Sequence, residues 1–157
     1  MARLLVALDA CVFIEAARVE DGLCNAILSA AESGSFEVPV APQVVAEVEA
    51  HLTTDLQRER LNGWRVLWTV SDHPTRQQLD AESRQLLAIM KHPADVPIAI
   101  AIRHSALRPH LFVTSNQRHW NPLRLDRLLG TRIITPADSL TTVGLARHAR
   151  APQVRSE

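Results

Sequence analysis

Cysteine is scarce in this chain: Cys11 and Cys24 are the only two among 157 residues. Neither belongs to a metal-type pair, which excludes a cysteine-built metal site. Cys11 lies among apolar residues and is expected as a buried thiol, not as half of a disulfide. A surplus of charge is lacking too, with 17 basic residues against 17 acidic ones. That balance argues against a general nucleic-acid coating protein, which would be strongly basic. It leaves room for a nuclease whose acidic site is offset by arginines elsewhere. Lysine is almost absent, Lys91 being the only one. Arginine is the better bidentate phosphate ligand, although a bias of composition explains the same preference. No window is long and apolar enough to span a membrane, and the N-terminus lacks a basic segment followed by a cleavable apolar one. The expectation is a cytoplasmic protein. Repeats and low-complexity segments are missing as well.

What is present fits one domain with a sizeable core. Leu4-Leu5-Val6-Ala7-Leu8 is a short apolar run, the pattern of a strand buried on both faces of a parallel sheet. Helical patterns follow at about 11–17 and 21–33, the second ending at Gly34, a helix-stop residue. Phe36 to Val40 is a second strand, and Pro39 within it suggests an edge or a strand end. Pro42 opens a helix with Val44, Val45, Val48 and Leu52 on one face,. A further helical pattern covers about 54–65, and Arg65 to Val70 reads as a strand. Ser71 to Pro74 is a turn, and residues 75–90 form an amphipathic helix,. Pro97 suits a first helical turn, and the helix behind it is apolar all round, hence buried. Leu111 to Thr114 and Arg132 to Thr135 are the last strands, and Pro136 opens a short closing helix. The folded domain is expected over 1–145 and a loose polar tail over 146–157,. Strands alternating with helices predict an α/β fold: a three-layer α/β/α sandwich around a parallel sheet.

Asp9 ends the first strand, at the edge where open α/β sheets bind ligands. It also stands where an N-cap belongs, so position alone serves both readings. Glu47 and Asp95 stand at similar borders of apolar structure. The three are too far apart for an EF-hand-like loop, but a parallel sheet can gather them at its C-terminal edge. Gathered carboxylates repel, and a hard divalent cation such as Mg²⁺ or Mn²⁺ relieves the repulsion. Such a site can activate water and neutralise a phosphodiester in its transition state. Each has a plainer reading: Asp95 can cap the buried helix, and Glu47 can be a solvated face residue. Periodicity does not choose between Glu47 and Glu49.

The stretches LVALDACVF (5–13), PQVVAEVEAHL (42–52), ADVPIAIAI (94–102) and VTSNQRHW (113–120) occur in the order of the acidic motifs of PIN-domain proteins. The chain thus resembles that family from about residue 4 to 140. The family is a set of metal-dependent ribonucleases, many of them VapC-type toxins of toxin–antitoxin pairs. The resemblance implies Asp9, Glu47 and Asp95 as metal-binding and catalytic acids, and so selects Glu47 over Glu49. It sets Thr114 at the threonine preceding the fourth position and Asn116 at that position, where many members have Asp. Asn can ligate through its carbonyl or orient a water, but it brings no charge to hold a second metal. Asp126 and Asp138 are remoter sources of a further carboxylate. The implied cofactor is Mg²⁺ or Mn²⁺. The implied partners are an RNA substrate, a cognate antitoxin and a second copy in a homodimer.

Several neighbours have two readings. His119 is a candidate general acid, but beside Trp120 it reads better as a structural histidine. Arg118, Arg124, Arg127 and Arg132 can contact RNA phosphates or simply face solvent. Trp64 and Trp68 fit packing better than base stacking. A haloacid-dehalogenase-type phosphatase also starts with an Asp after a buried strand, but Cys11 occupies the place of its second Asp. A PIN-like module that binds RNA or protein without cleaving is the non-enzymatic alternative, kept open by Asn116.

Overall fold

The computed structural model describes residues 3–148. Nine α-helices and five short strands alternate among them: β1 (Val6–Leu8), α1 (Ala10–Arg18), α2 (Leu23–Glu32), β2 (Val38–Val40), α3 (Pro42–His51), α4 (Asp55–Arg65), β3 (Trp68–Val70), α5 (Arg76–Met90), α6 (Val96–His104), β4 (Leu111–Val113), α7 (Gln117–Trp120), α8 (Pro122–Leu129), β5 (Arg132–Ile134) and α9 (Pro136–His148). A 3₁₀ turn, Pro93–Asp95, leads into α6.

All the strand pairs are parallel. β4 lies between β1 and β5, in register Leu8↔Val113 and Val113↔Ile134. β2 pairs with β3. One bridge, Leu5↔Glu37, joins the two sets, with Val6 N–H donating to the Glu37 carbonyl at 2.9 Å. The order across the chain is therefore β3-β2-β1-β4-β5. From β1 the chain steps outward to β2 and β3, then crosses back to β4 and β5. The switch point lies between β1 and β4, and at such a point open α/β sheets form their ligand crevice.

Pro39 sits in the middle of β2, which pairs with β3 as one of two strands and meets β1 through a single bridge. Glu37 points its backbone at β1, while the Val40 carbonyl serves Ser71 on the β3 side. Alternation along the strand aims the missing N–H of Pro39 at β1, where a single bridge is all the pairing that forms. β3 is also shorter than expected, because Arg65 closes α4. α7 and α8 follow β4, where no helix is expected from the apolar pattern. α9 extends through His148, into the segment expected as tail, and residues 149–157 lie outside those described.

Local signals account for most helix ends. Thr54 with Gln57 and Thr75 with Gln78 form complete capping boxes at the starts of α4 and α5,. Gly34 (φ 76°) follows α2, and Gly130 (φ 66°) stops α8,. α6 buries Val96, Ile98, Ala99, Ile100, Ala101 and Ile102, as its all-round apolar pattern predicts,. α1 packs on α2, α3 and α4, and α9 returns onto α2. On the other side of the sequence, α5 packs on α6 and α7, and α6 on α8. No helix among the described residues is long and apolar enough to cross a membrane.

Candidate metal centre

Two charged side chains are buried among the described residues, Asp9 (5% exposed) and Asp95 (9%). Asp9 follows Leu8 directly, and its N–H donates to the Val113 carbonyl at 2.9 Å, so the switch point itself fixes its backbone. Both carboxylate oxygens are engaged. Oδ1 accepts from the Ala10 N–H at 2.8 Å, and Oδ2 accepts from the Thr114 hydroxyl at 2.7 Å. The capping bond of α1 and the position at the switch point thus belong to one side chain. Thr114, fully buried, also receives the Asn116 N–H on Oγ1 at 3.0 Å. It thus ties the turn after β4 to the carboxylate after β1.

Asp95 ends the 3₁₀ turn before α6. It occupies the N-cap position of α6 but makes no side-chain cap bond there, so capping does not explain its burial,. Its Oδ2 lies 3.0 Å from His92 Nδ1 and 3.2 Å from His119 Nδ1. Neither approach has the direction of a hydrogen bond: Oδ2 and His92 Nδ1 are both buried without a hydrogen-bonding partner. The two imidazoles stack at 4.1 Å with planes 11° apart. His119 thus packs on His92, while the neighbouring Trp120 packs against Phe112 at 4.3 Å.

A cavity of about 360 Å³ opens at the switch point, and Asp9, Glu47, Asp95 and Asn116 all line it. The structure thereby brings together the four expected catalytic positions. α3 divides its glutamates: Glu47 faces the cavity, whereas Glu49 turns to the Arg65 guanidinium. α1 contributes a stripe that sequence reasoning passed over, Cys11, Ile14, Glu15 and Arg18. Their i, i+3, i+4, i+7 spacing is the signal that a helix turns one face to the cavity. His92 was missed as well; its place three residues before Asp95 across a Pro-led 3₁₀ turn puts both on one side. Arg118 is exposed on α7 and is not part of the cavity wall. Asp126 accepts the Ile133 N–H and anchors β5, which gives it a structural task. A second cavity, of about 330 Å³, lies beyond β3, and Asp72 is the one carboxylate in its wall.

Burial pushes the Asp9 carboxyl up to about 6, and the charges of Asp95 and Glu47 push the same way. The bonds from Thr114 and Ala10 pull it down without cancelling that rise,. Burial raises the Cys11 thiol to about 11, with the Asp9 charge adding to it. Cys11 is therefore a protonated, weakly nucleophilic thiol at neutral pH. Cys24, raised to about 12 by burial and by its bond to Glu15, is equally inert. Both cysteines are free. The donor set suits a hard divalent cation: three carboxylates and an amide carbonyl around a cavity, with mutual repulsion already visible in Asp9. Comparison of the chain with protein-family models and with curated proteins finds no match.

Proposed function

We propose that the chain is a PIN-type, metal-dependent endoribonuclease. In this reading Asp9, Glu47 and Asp95 hold a Mg²⁺ or Mn²⁺ ion with the help of Asn116. The observation that carries the proposal is the pair of buried carboxylates, Asp9 and Asp95, opening with Glu47 onto one cavity at the switch point of a parallel sheet. Burying charge without a counter-charge is costly, and a bound divalent ion supplies that counter-charge. The strand order agrees with a three-layer sandwich. Right-handed crossovers would set α1–α4 on one face of the sheet and α5–α8 on the other. α9, packed on α2, then belongs to the first face.

When bound, such an ion supplies an acidified water and charge stabilisation for a phosphodiester under attack. The chain's own residues prepare the site. Thr114 and the Ala10 N–H fix the Asp9 carboxylate in orientation, and the turn after β4 brings Asn116 to the cavity. Arg18, on the cavity wall, donates one guanidinium N–H to the His51 carbonyl, and in this reading its remaining donors meet a phosphate,. RNA is the proposed substrate, with exposed arginines such as Arg118 outside the cavity as backbone contacts. An antitoxin that blocks the cavity, a homodimer and a cytoplasmic setting belong to the same reading, as does a role as the toxin of a toxin–antitoxin pair. Cleavage of mixed transfer and ribosomal RNA, with Mg²⁺ or Mn²⁺ against EDTA, tests it: cutting should require the ion.

A binding module that does not cleave is favoured by one feature, the uncharged Asn116 in the cavity wall. It predicts RNA retention without products under any metal. A phosphatase of the haloacid-dehalogenase type has less behind it, because Cys11 with its protonated thiol stands where that chemistry needs a second carboxylate.

A further inference from the structure

We propose that His92, Asp95 and His119 form a second metal site, built of two nitrogens and one oxygen, that takes a borderline transition ion such as Zn²⁺. It differs in chemistry from the carboxylate cavity, whose wall includes Asp95 but neither histidine. The three donor atoms, two Nδ1 and Oδ2, all lie within 4.8 Å of one another. The two nitrogen–oxygen separations are 3.0 and 3.2 Å. Bonds of about 2.0–2.1 Å to a tetrahedral ion would set its ligand atoms about 3.3 Å apart. The two nitrogen–oxygen separations are already close to that spacing.

The second observation is the orphaned polar atoms. Asp95 is 9% exposed, and its Oδ2 and the His92 Nδ1 facing it are buried with no hydrogen bond. The two meet as an ion pair at 3.0 Å without the direction of a hydrogen bond, whereas buried polar atoms are nearly always hydrogen-bonded, which leaves both free to bind a shared cation,. An imidazolium–carboxylate pair would align N–H with oxygen, and these do not. A cation bound to all three atoms satisfies each of them. Imidazole donors select Zn²⁺, Co²⁺ or Ni²⁺ over Mg²⁺, which prefers oxygen. Placing both Nδ1 atoms on one ion would turn the rings out of their 11° stack. The side chains, 43% and 41% exposed, have room to turn.

The local folding explains the convergence. Lys91 adopts the left-handed conformation (φ 57°) and ends α5, so the chain turns sharply into His92 and the 3₁₀ turn. α7 packs on α5 and carries His119 to the same place. Because Asp95 also lines the carboxylate cavity, an ion held by the histidines would compete with Mg²⁺ for that carboxylate, though its binding does not depend on the nuclease reading.

The test is a Co²⁺ titration of the whole chain followed by visible absorption, with Zn²⁺ as competitor and thermal melting in parallel. The unmodified protein should show ligand-field bands of nitrogen–oxygen coordination, displaced by Zn²⁺, without a thiolate-to-cobalt band. Zn²⁺ should raise the melting temperature, since it binds only the folded chain. His92→Gln with His119→Gln should weaken Co²⁺ and Zn²⁺ binding by at least about 100-fold. The melting temperature of this variant without metal provides the folding control. Broadening of the His92 and His119 ring resonances by Co²⁺ in the unmodified protein reports the ligands even if the variant does not fold. A thiolate band, undiminished binding in the folded double variant, or no binding at millimolar Co²⁺ would overturn the proposal. RNA cleavage enters none of these readouts, so failure of the nuclease reading would be seen separately.

Discussion

Asp9 carries both a place in the proposed chemistry and a cost in stability. Its carboxyl titrates near 6, against an ordinary 3.8, because folding removes it from water beside two other acids. Between those values the folded state binds the proton more tightly than the unfolded chain. The contribution of Asp9 to the stability of the metal-free protein therefore falls as pH rises from about 4 to 6 and levels off above that,. Asp9→Asn should flatten that part of the profile, with a gain at pH 7 smaller than the roughly 3 kcal/mol of the full shift because the amide keeps only one of the two accepting oxygens,. Denaturant unfolding at several pH values measures both effects. Thr114→Val deletes the hydroxyl that Asp9 Oδ2 relies on. It should cost about 1–3 kcal/mol at neutral pH and push the Asp9 carboxyl further up. NMR titration of that carboxyl reads the shift directly.

The apolar pattern reveals most elements and places few of their contacts. β1 and the all-apolar α6 are legible because burial on every side leaves a continuous run. Ile100, fully buried in α6, should cost about 2–5 kcal/mol as Ile100→Ala in the same unfolding measurement,. Glu47 and Glu49 were not separable by periodicity, since the stripe of α3 leaves both at its margins. Tertiary contacts divide them: one glutamate meets a cavity and the other an arginine. Glu47→Gln should weaken binding of Mn²⁺ about 10- to 100-fold by calorimetry, whereas Glu49→Gln should leave it unchanged. Pro39 reads as an edge signal, and its missing N–H does face the side of β2 that carries only one bridge. His92 and His119 were illegible as a pair, since the packing of α5 on α7 joins them and no local pattern records it.

At the scale of the molecule, five parallel strands and a reversal of order between β1 and β4 make the crevice. Long-range strand order brings Asp9 and Thr114 together, while Glu47 and Asp95 arrive on α3 and on the turn before α6. The sequence could suggest such a meeting only through the general habit of parallel sheets and the likeness to PIN-domain motifs. The stripe of α1 that completes the wall was written in its spacing, but nothing local says which side of an amphipathic helix meets a cavity. The most direct test of the account compares the chain with Asp95→Asn and Glu49→Gln on mixed transfer and ribosomal RNA in Mg²⁺ or Mn²⁺. Cutting should depend on the ion, fall at least about 100-fold in the folded Asp95→Asn protein and persist in Glu49→Gln. Absence of cutting by the folded, metal-loaded chain, or equal cutting by Asp95→Asn, would contradict it.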